Sequence, residues 1–218
     1  MRILDLGGVG VVEIDTYGDW RLPGREHARP TRPDSWRKAA VRAAEFVFCE
    51  ETLVLLNHWR GLGQLARPPG RRDLNPAQLG AALSHIWLMD FESRERRLYY
   101  REVGEDAASR YTESLIGKYL HEIVEPEAYP RVAPYFLACV ELPAISIVSG
   151  RLFHEWPRPW FGERLLLPLF DENGQPEGLV GVVNCRKTSL DKADAERTTE
   201  RRVRIIPLEG GDIIESVS

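Results

Sequence analysis

Apolar residues recur with helical spacing from Ser35 onward, where Trp36, Ala40, Val41 and Ala44 share one side and Arg37, Lys38, Arg42 and Glu45 the other. Pro33-Asp34-Ser35 supplies a turn and an N-cap, which predicts an amphipathic helix starting at Ser35. That helix continues, or restarts after Cys49, as far as Trp59-Arg60, where Gly61 and Gly63 stop it. Asn75-Pro76 offers the cap and first-turn proline of a short helix through Leu83. The period then shortens. Ile86–Phe91 and Arg97–Val103 read as two strands of a hairpin joined by the polar Glu92-Ser93-Arg94-Glu95. After Gly104 the pattern is helical and irregular to Val124, with a break at Gly117. A longer helix follows over Ala128–Leu142, with Val132, Tyr135, Phe136, Cys139 and Val140 on one face and Pro134 either kinking it or marking its start. Three strands complete the core: Ala144–Trp156, Phe161–Phe170 and Gly178–Cys185, the last two joined at Asp171-Glu172-Asn173-Gly174. This order of elements predicts an α+β domain, an antiparallel sheet with helices on one face.

The flanks read differently. Gly8–Ile14 is strand-like, and Arg21–Pro33, rich in Arg, Pro and Gly, reads as an arm. From Lys187 the chain is charged and is expected to leave the core, although Val203–Ile206 can add an edge strand. The expected organisation is an extension over 1–34, amphipathic flanking helices over 35–60, a domain over 61–187 and a charged C-terminal tail over 188–218.

With 218 residues, 43% of them hydrophobic, the chain has material for one core plus extensions. A formal net charge of -4 argues against binding nucleic acid through its phosphates. The basic run from Arg21 to Arg42 is the local exception and reads as an exposed arm. No apolar run approaches the roughly 20 residues needed to cross a bilayer. Met1–Asp15 carries acidic residues where a signal peptide needs a basic start, so the expectation is a cytoplasmic protein with no membrane contact. Cys49, Cys139 and Cys185 are widely spaced and suggest buried free thiols, with neither a disulfide framework nor a metal site.

Catalytic motifs are missing. Gly7-Gly8-Val9-Gly10 lacks the third glycine, helix and downstream acid of a dinucleotide loop. There is no Gly-x-Ser-x-Gly, His-Glu-x-x-His or phosphate-binding loop. The expectation is a protein that is not an enzyme.

Several short strings share an order and spacing: Trp59 with Pro68-Pro69, Asp73-Leu74-Asn75-Pro76, Ile86-Trp87-Leu88-Met89-Asp90 and Tyr100-Arg101-Glu102-Val103-Gly104. Tyr111 with Ile116-Gly117-Lys118-Tyr119-Leu120, and Glu163-Arg164-Leu165-Leu166-Leu167-Pro168-Leu169, continue the series. In these strings the region from Leu55 to Arg186 resembles a bacterial PAS-like family common in alphaproteobacteria, formerly a domain of unknown function. The resemblance implies a five-stranded antiparallel sheet of order 2-1-5-4-3, cradling helices over a small cavity, and a sensory or protein-interaction role. Two departures stand out: no glycine follows Leu142, and Trp156-Pro157-Arg158-Pro159-Trp160 is unusually aromatic.

Candidate ligand-binding residues for such a cavity are Tyr100, Arg101, Tyr111, His121, Trp160 and Arg164. Arg101 and Arg164 sit among apolar neighbours on strands. One that points inward needs a carboxylate or an acidic ligand, and the alternative is pairing with Glu102 or Glu163 on a solvated face. His121 is the histidine best placed to ligate haem iron, though a single histidine argues little. Asn184-Cys185-Arg186 resembles the flavin-adduct string of light-sensing relatives, but it ends a strand where that chemistry needs a helix. Haem and flavin are therefore both disfavoured, and the cofactor stays unassigned. Trp36, Val41, Phe46 and Phe48 are candidate anchors for a homodimer or partner interface. The leading expectation is a PAS-like sensory module that binds a small molecule or a signalling protein and acts through protein contacts without an output domain. A small enzyme using the cavity and a ligand-free adaptor are the alternatives.

Overall fold

The computed structural model describes residues 2–5, 11–14, 20–21, 35–62, 67–153, 160–187 and 200–217. Near the start of the chain, β1 (Arg2–Asp5), β2 (Val11–Ile14) and β3 (Trp20–Arg21) form an antiparallel sheet in that order. The strand expected over 8–14 occupies Val11–Ile14, and the Arg-rich segment beyond Arg21 lies outside the described residues.

Helices α1 (Ser35–Ala43) and α2 (Glu50–Gly61) follow, two separate helices with a 3-10 turn between them. Asn75 caps as expected, its side chain accepting from the Ala77 N–H at 3.1 Å, but the turns it opens over 76–78 and 80–85 are 3-10 rather than α. The hairpin is β4 (Ile86–Glu92) and β5 (Arg97–Val103). Short helices α3 (Glu105–Ala108) and α4 (Leu120–Ile123) lead to α5 (Tyr129–Glu141), which holds Pro134 inside it. The remaining strands are β6 (Ala144–Phe153), β7 (Trp160–Phe170), β8 (Pro176–Lys187), β9 (Arg201–Pro207) and β10 (Ile214–Val217).

All the main strands pair antiparallel in one open sheet of order β10-β9-β6-β7-β8-β4-β5. The sheet has seven strands where five were expected, because part of the supposed tail belongs to it. Val203, Ile205, Ile206 and Leu208 are buried, and β9 is an interior strand, not an edge. The charges that suggested a solvated tail are cross-strand partners: Arg204 stands opposite Glu215 in register and its Nε lies 2.7 Å from that carboxylate. Residues 188–199 of the expected tail lie outside the described residues.

Helices cover both faces of the sheet, where one covered face was expected. Strand side chains alternate, so in β7 Leu165, Leu167 and Leu169 join one core while Leu166 joins the other. The first core packs Trp36, Leu55, Leu56 and Trp59 of α1 and α2 against Ile145, Ile147 and Val182; the second packs α5 against Met89, Leu179 and Ile205. Trp36 is fully buried edge-to-face on Trp59 with centroids 5.0 Å apart, and Trp59 Nε1 donates to the Pro168 carbonyl at 3.2 Å. Trp36 is therefore an internal anchor, not an interface residue. Phe46 is half-buried with the Arg204 guanidinium 4.5 Å above its ring, whereas Val41 and Phe48 are exposed. Among the cysteines only Cys139 is buried; Cys49 and Cys185 are half-buried. Among the described residues no helix is long and apolar enough to cross a membrane.

Candidate functional site

A small cavity lies where the hairpin, β7 and β8 meet the segment after β5. Its walls include Trp87 from β4, Tyr100 and Val103 from β5, Ala107 from α3, Arg110 and Tyr111 just beyond, Phe153 from β6 and Arg164 from β7. The volume is about 10 Å³, room for one water-sized group.

Arg164 reaches the cavity through strand parity. Both neighbours on β7, Glu163 and Leu165, point to the α1–α2 side, so Arg164 points to the α5 side, where it is 7% exposed. Its NH1 donates to the Tyr135 hydroxyl at 2.8 Å, and its guanidinium lies 5.3 Å from the Phe153 ring centre, 5.5 Å from Phe136 and 5.9 Å from Trp87. Among the described residues the Nε of Arg164 has no hydrogen-bond partner. Burial opposes its charge, the phenol groups of Tyr135, Tyr111 and Tyr100 favour it, and the net direction of its pKa is upward. Tyr100 is buried, and burial pushes its hydroxyl far above the ordinary range; burial raises Tyr111 in the same way. Both phenols stay protonated and able to donate.

The structure gathers Tyr100, Tyr111 and Arg164 around the cavity. Trp160, first residue of β7, adjoins it through Arg110, whose guanidinium lies 5.4 Å from the Trp160 ring and 5.7 Å from Phe153. The other two candidates lie elsewhere. Arg101 is exposed on the opposite side of β5 from Tyr100, and its Nε donates to Asp90 at 2.6 Å. Asp90 also accepts from the Tyr99 hydroxyl at 2.6 Å and pairs with Arg71. His121 is exposed on α4, with ring centres 5.5 Å from Tyr119 and 6.4 Å from Tyr129. Sequence reasoning missed Trp87, Arg110 and Phe153. Trp87 had a signal, since it shares parity with the buried Met89 on β4; Arg110, two residues past a one-turn helix, had none.

Across the sheet from Arg164, Glu163 is 2% exposed. Its carboxylate accepts from the Phe48 N–H at 3.0 Å and the Cys49 N–H at 3.3 Å, immediately before α2. Cys49 makes no side-chain cap of its own. Glu163 therefore supplies from β7 an acceptor at the N-terminus of α2. Burial raises its pKa above the ordinary carboxylate value, against the opposing pull of these two N–H groups. Cys49 beside it is pushed up to about 11, by burial first and then by the Glu163 charge, so its thiol stays protonated at neutral pH.

Comparison of the chain with protein-family models, with curated proteins and with solved structures gave no match.

Proposed function

We propose that this chain is a PAS-like sensory module that takes a small solute, or the head of one, into the Tyr100–Arg164 cavity and passes its occupancy to a partner through protein contacts. The observation that carries this reading is the cavity itself, lying between sheet and short helices and combining aromatic walls with a guanidinium and two phenols. The strand arrangement supports it: β5, β4, β8, β7 and β6 are consecutive neighbours, which counted from β4 is the order 2-1-5-4-3. The strands β9 and β10 and the helical layer on the second face are additions to that plan.

A route for the signal accompanies the site. Arg164 and Glu163 are adjacent on β7 and face opposite ways, one into the cavity and the other onto the α1–α2 connection. A shift of β7 that suits a ligand at Arg164 is felt at Phe48 and Cys49. Of the four expected interface anchors, Val41 and Phe48 are those a homodimer or signalling partner reaches, and Phe48 lies on that route. An enzyme is the less favoured reading, because the described cavity lining holds no carboxylate, histidine or thiol to act as base or nucleophile.

A crystal structure of the protein as purified tests the proposal. The expected result is non-protein density in contact with Arg164 and Tyr111. A cavity filled by its own side chains, or by water alone, overturns it.

A further inference from the structure

Guanidinium groups keep their protons in proteins, so a buried one cannot escape its burial cost by becoming neutral. Among the described residues neither Arg164 nor Arg110 has a carboxylate partner. Arg164 satisfies one of its nitrogens through Tyr135, and its Nε is unpartnered. The Nε and NH1 of Arg110 are buried and likewise without a partner among the described residues, the side chain being held by the faces of Phe153 and Trp160. A third arginine reinforces the sign. Arg201 shares a face with Arg164, because Val203, two residues along β9, is in register with Val148, which is in register with Arg164. Arg201 Nε is unpartnered, and burial lowers its pKa, with Arg131, Arg164 and Arg151 pushing the same way against Tyr135. The acid nearest in sequence, Glu163, is turned to the other face and engaged by Phe48 and Cys49.

The region thus holds an excess of positive charge, three guanidinium nitrogens of the two cavity arginines without a partner among the described residues, and phenols that stay protonated. A neutral occupant leaves that charge unbalanced, and a cavity of about 10 Å³ is too small for a bulky anion. We propose that the cavity between Arg110 and Arg164 binds a small monovalent anion, a halide or the carboxylate head of a short organic acid. Arg164 and Arg110 donate the charge-assisted hydrogen bonds, and the aromatic walls keep water from screening them. This inference rests on reading the cavity as a ligand site.

The test uses the full chain purified in sodium gluconate, whose anion is too large to enter, and titrated at constant ionic strength with sodium chloride, formate, acetate or phosphate. The readouts are tryptophan fluorescence, to which Trp87 in the wall contributes, and the thermal midpoint. The expected result is a saturable response to chloride, or to formate and acetate, with phosphate no better than gluconate. Saturation by chloride alone identifies a halide site, and saturation by the carboxylates identifies an acid's headgroup. Arg110→Gln, which breaks no hydrogen bond within the described protein, is expected to weaken binding about ten- to a hundredfold. Arg164→Met is expected to abolish saturation, and if that variant does not fold, Arg110→Gln decides alone. Equal midpoints in all four anions, or an Arg110→Gln titration matching the wild type, overturns the proposal. A neutral solute found against Arg164 in the crystal, without any anion response, removes the anion assignment and leaves the ligand-site reading standing. Water alone there, again without anion response, removes both.

Discussion

Replacing Glu163 by alanine tests whether a side chain from the sheet holds the start of α2. In the wild type the carboxylate accepts from two backbone N–H groups, Phe48 at 3.0 Å and Cys49 at 3.3 Å, and the helix has no side-chain cap of its own. Alanine leaves both donors without that acceptor, at about 1 kcal/mol or more for each. Water entering the vacated space returns part of the loss, so the expected net is about 2 kcal/mol, or roughly 4–8 °C in thermal midpoint for a chain of this size. Glutamine gives a contrasting outcome. It keeps an acceptor oxygen and removes a charge that burial makes costly, as the raised pKa of Glu163 indicates. Glu163→Gln is therefore expected to be as stable as the wild type at neutral pH, or more so. The sign follows from linkage: a carboxyl whose folded pKa lies above its unfolded value favours the fold most below the unfolded pKa, and that contribution is lost as pH rises through the folded pKa. Urea titration followed by tryptophan fluorescence measures both variants, and hydrogen exchange at the Phe48 and Cys49 amides locates the effect. A loss under about 0.5 kcal/mol for Glu163→Ala, within the range of an ordinary surface substitution, refutes the reasoning. So does a Glu163→Gln variant that loses as much as the alanine.

Three further outcomes are expected. A Cβ on Gly181 meets the Trp87 indole at 2.4 Å, so Gly181→Ala drives that ring from its seat beside the cavity; the expected cost is about 1–3 kcal/mol, with a shifted fluorescence maximum, and an unchanged spectrum contradicts the packing described. Ile205 is fully buried in β9, so Ile205→Ala costs about 2–5 kcal/mol in chemical denaturation, against nearly nothing for a residue on a solvated tail. His58 Nε2 accepts the Asn75 N–H at 3.1 Å, and burial, partly offset by a hydrogen bond with Gln78, holds its pKa below the ordinary 6.5. A base depressed in this way stabilises the fold above its unfolded pKa and loses that contribution as pH falls through the folded value. Thermal midpoints are thus expected to decline below pH 6.5 and to decline less in His58→Gln; parallel profiles exclude His58 as a cause.

Much of the central sheet was legible because its strands are bounded by polar turns. The strand expected over Arg97–Val103 has those bounds, and β4 differs from expectation by one residue. The direction of Arg164 was legible in principle as well: Leu165 to Phe170 is apolar at both parities, a pattern that requires both faces of the strand to be covered and leaves Arg164 no solvated side. Arg101 has Tyr100 on one side and Glu102 on the other, and β5 lies at a sheet edge, where water is available to a charged side chain. Position along the sequence does not reveal which strand will be an edge. The C-terminal strands were hidden by their charge density, since Arg202 and Arg204 meet Glu215 only once β10 folds back on β9. Arg110 and Phe153 come together through tertiary packing alone, and no local pattern marks them.

The fate of β6 has a consequence for assembly. With β9 laid along it, the margin that a five-stranded sheet would leave open to a foreign strand is already occupied. The margins left among the described residues are β10, four residues long and carrying Glu215, and β5, bearing Arg97 and Arg101 and already bonded at Tyr100 to the backbone of Gly117 and Lys118. Short or charged margins of this kind resist templating. Growth of the sheet into a continuous ribbon of chains is discouraged at both ends.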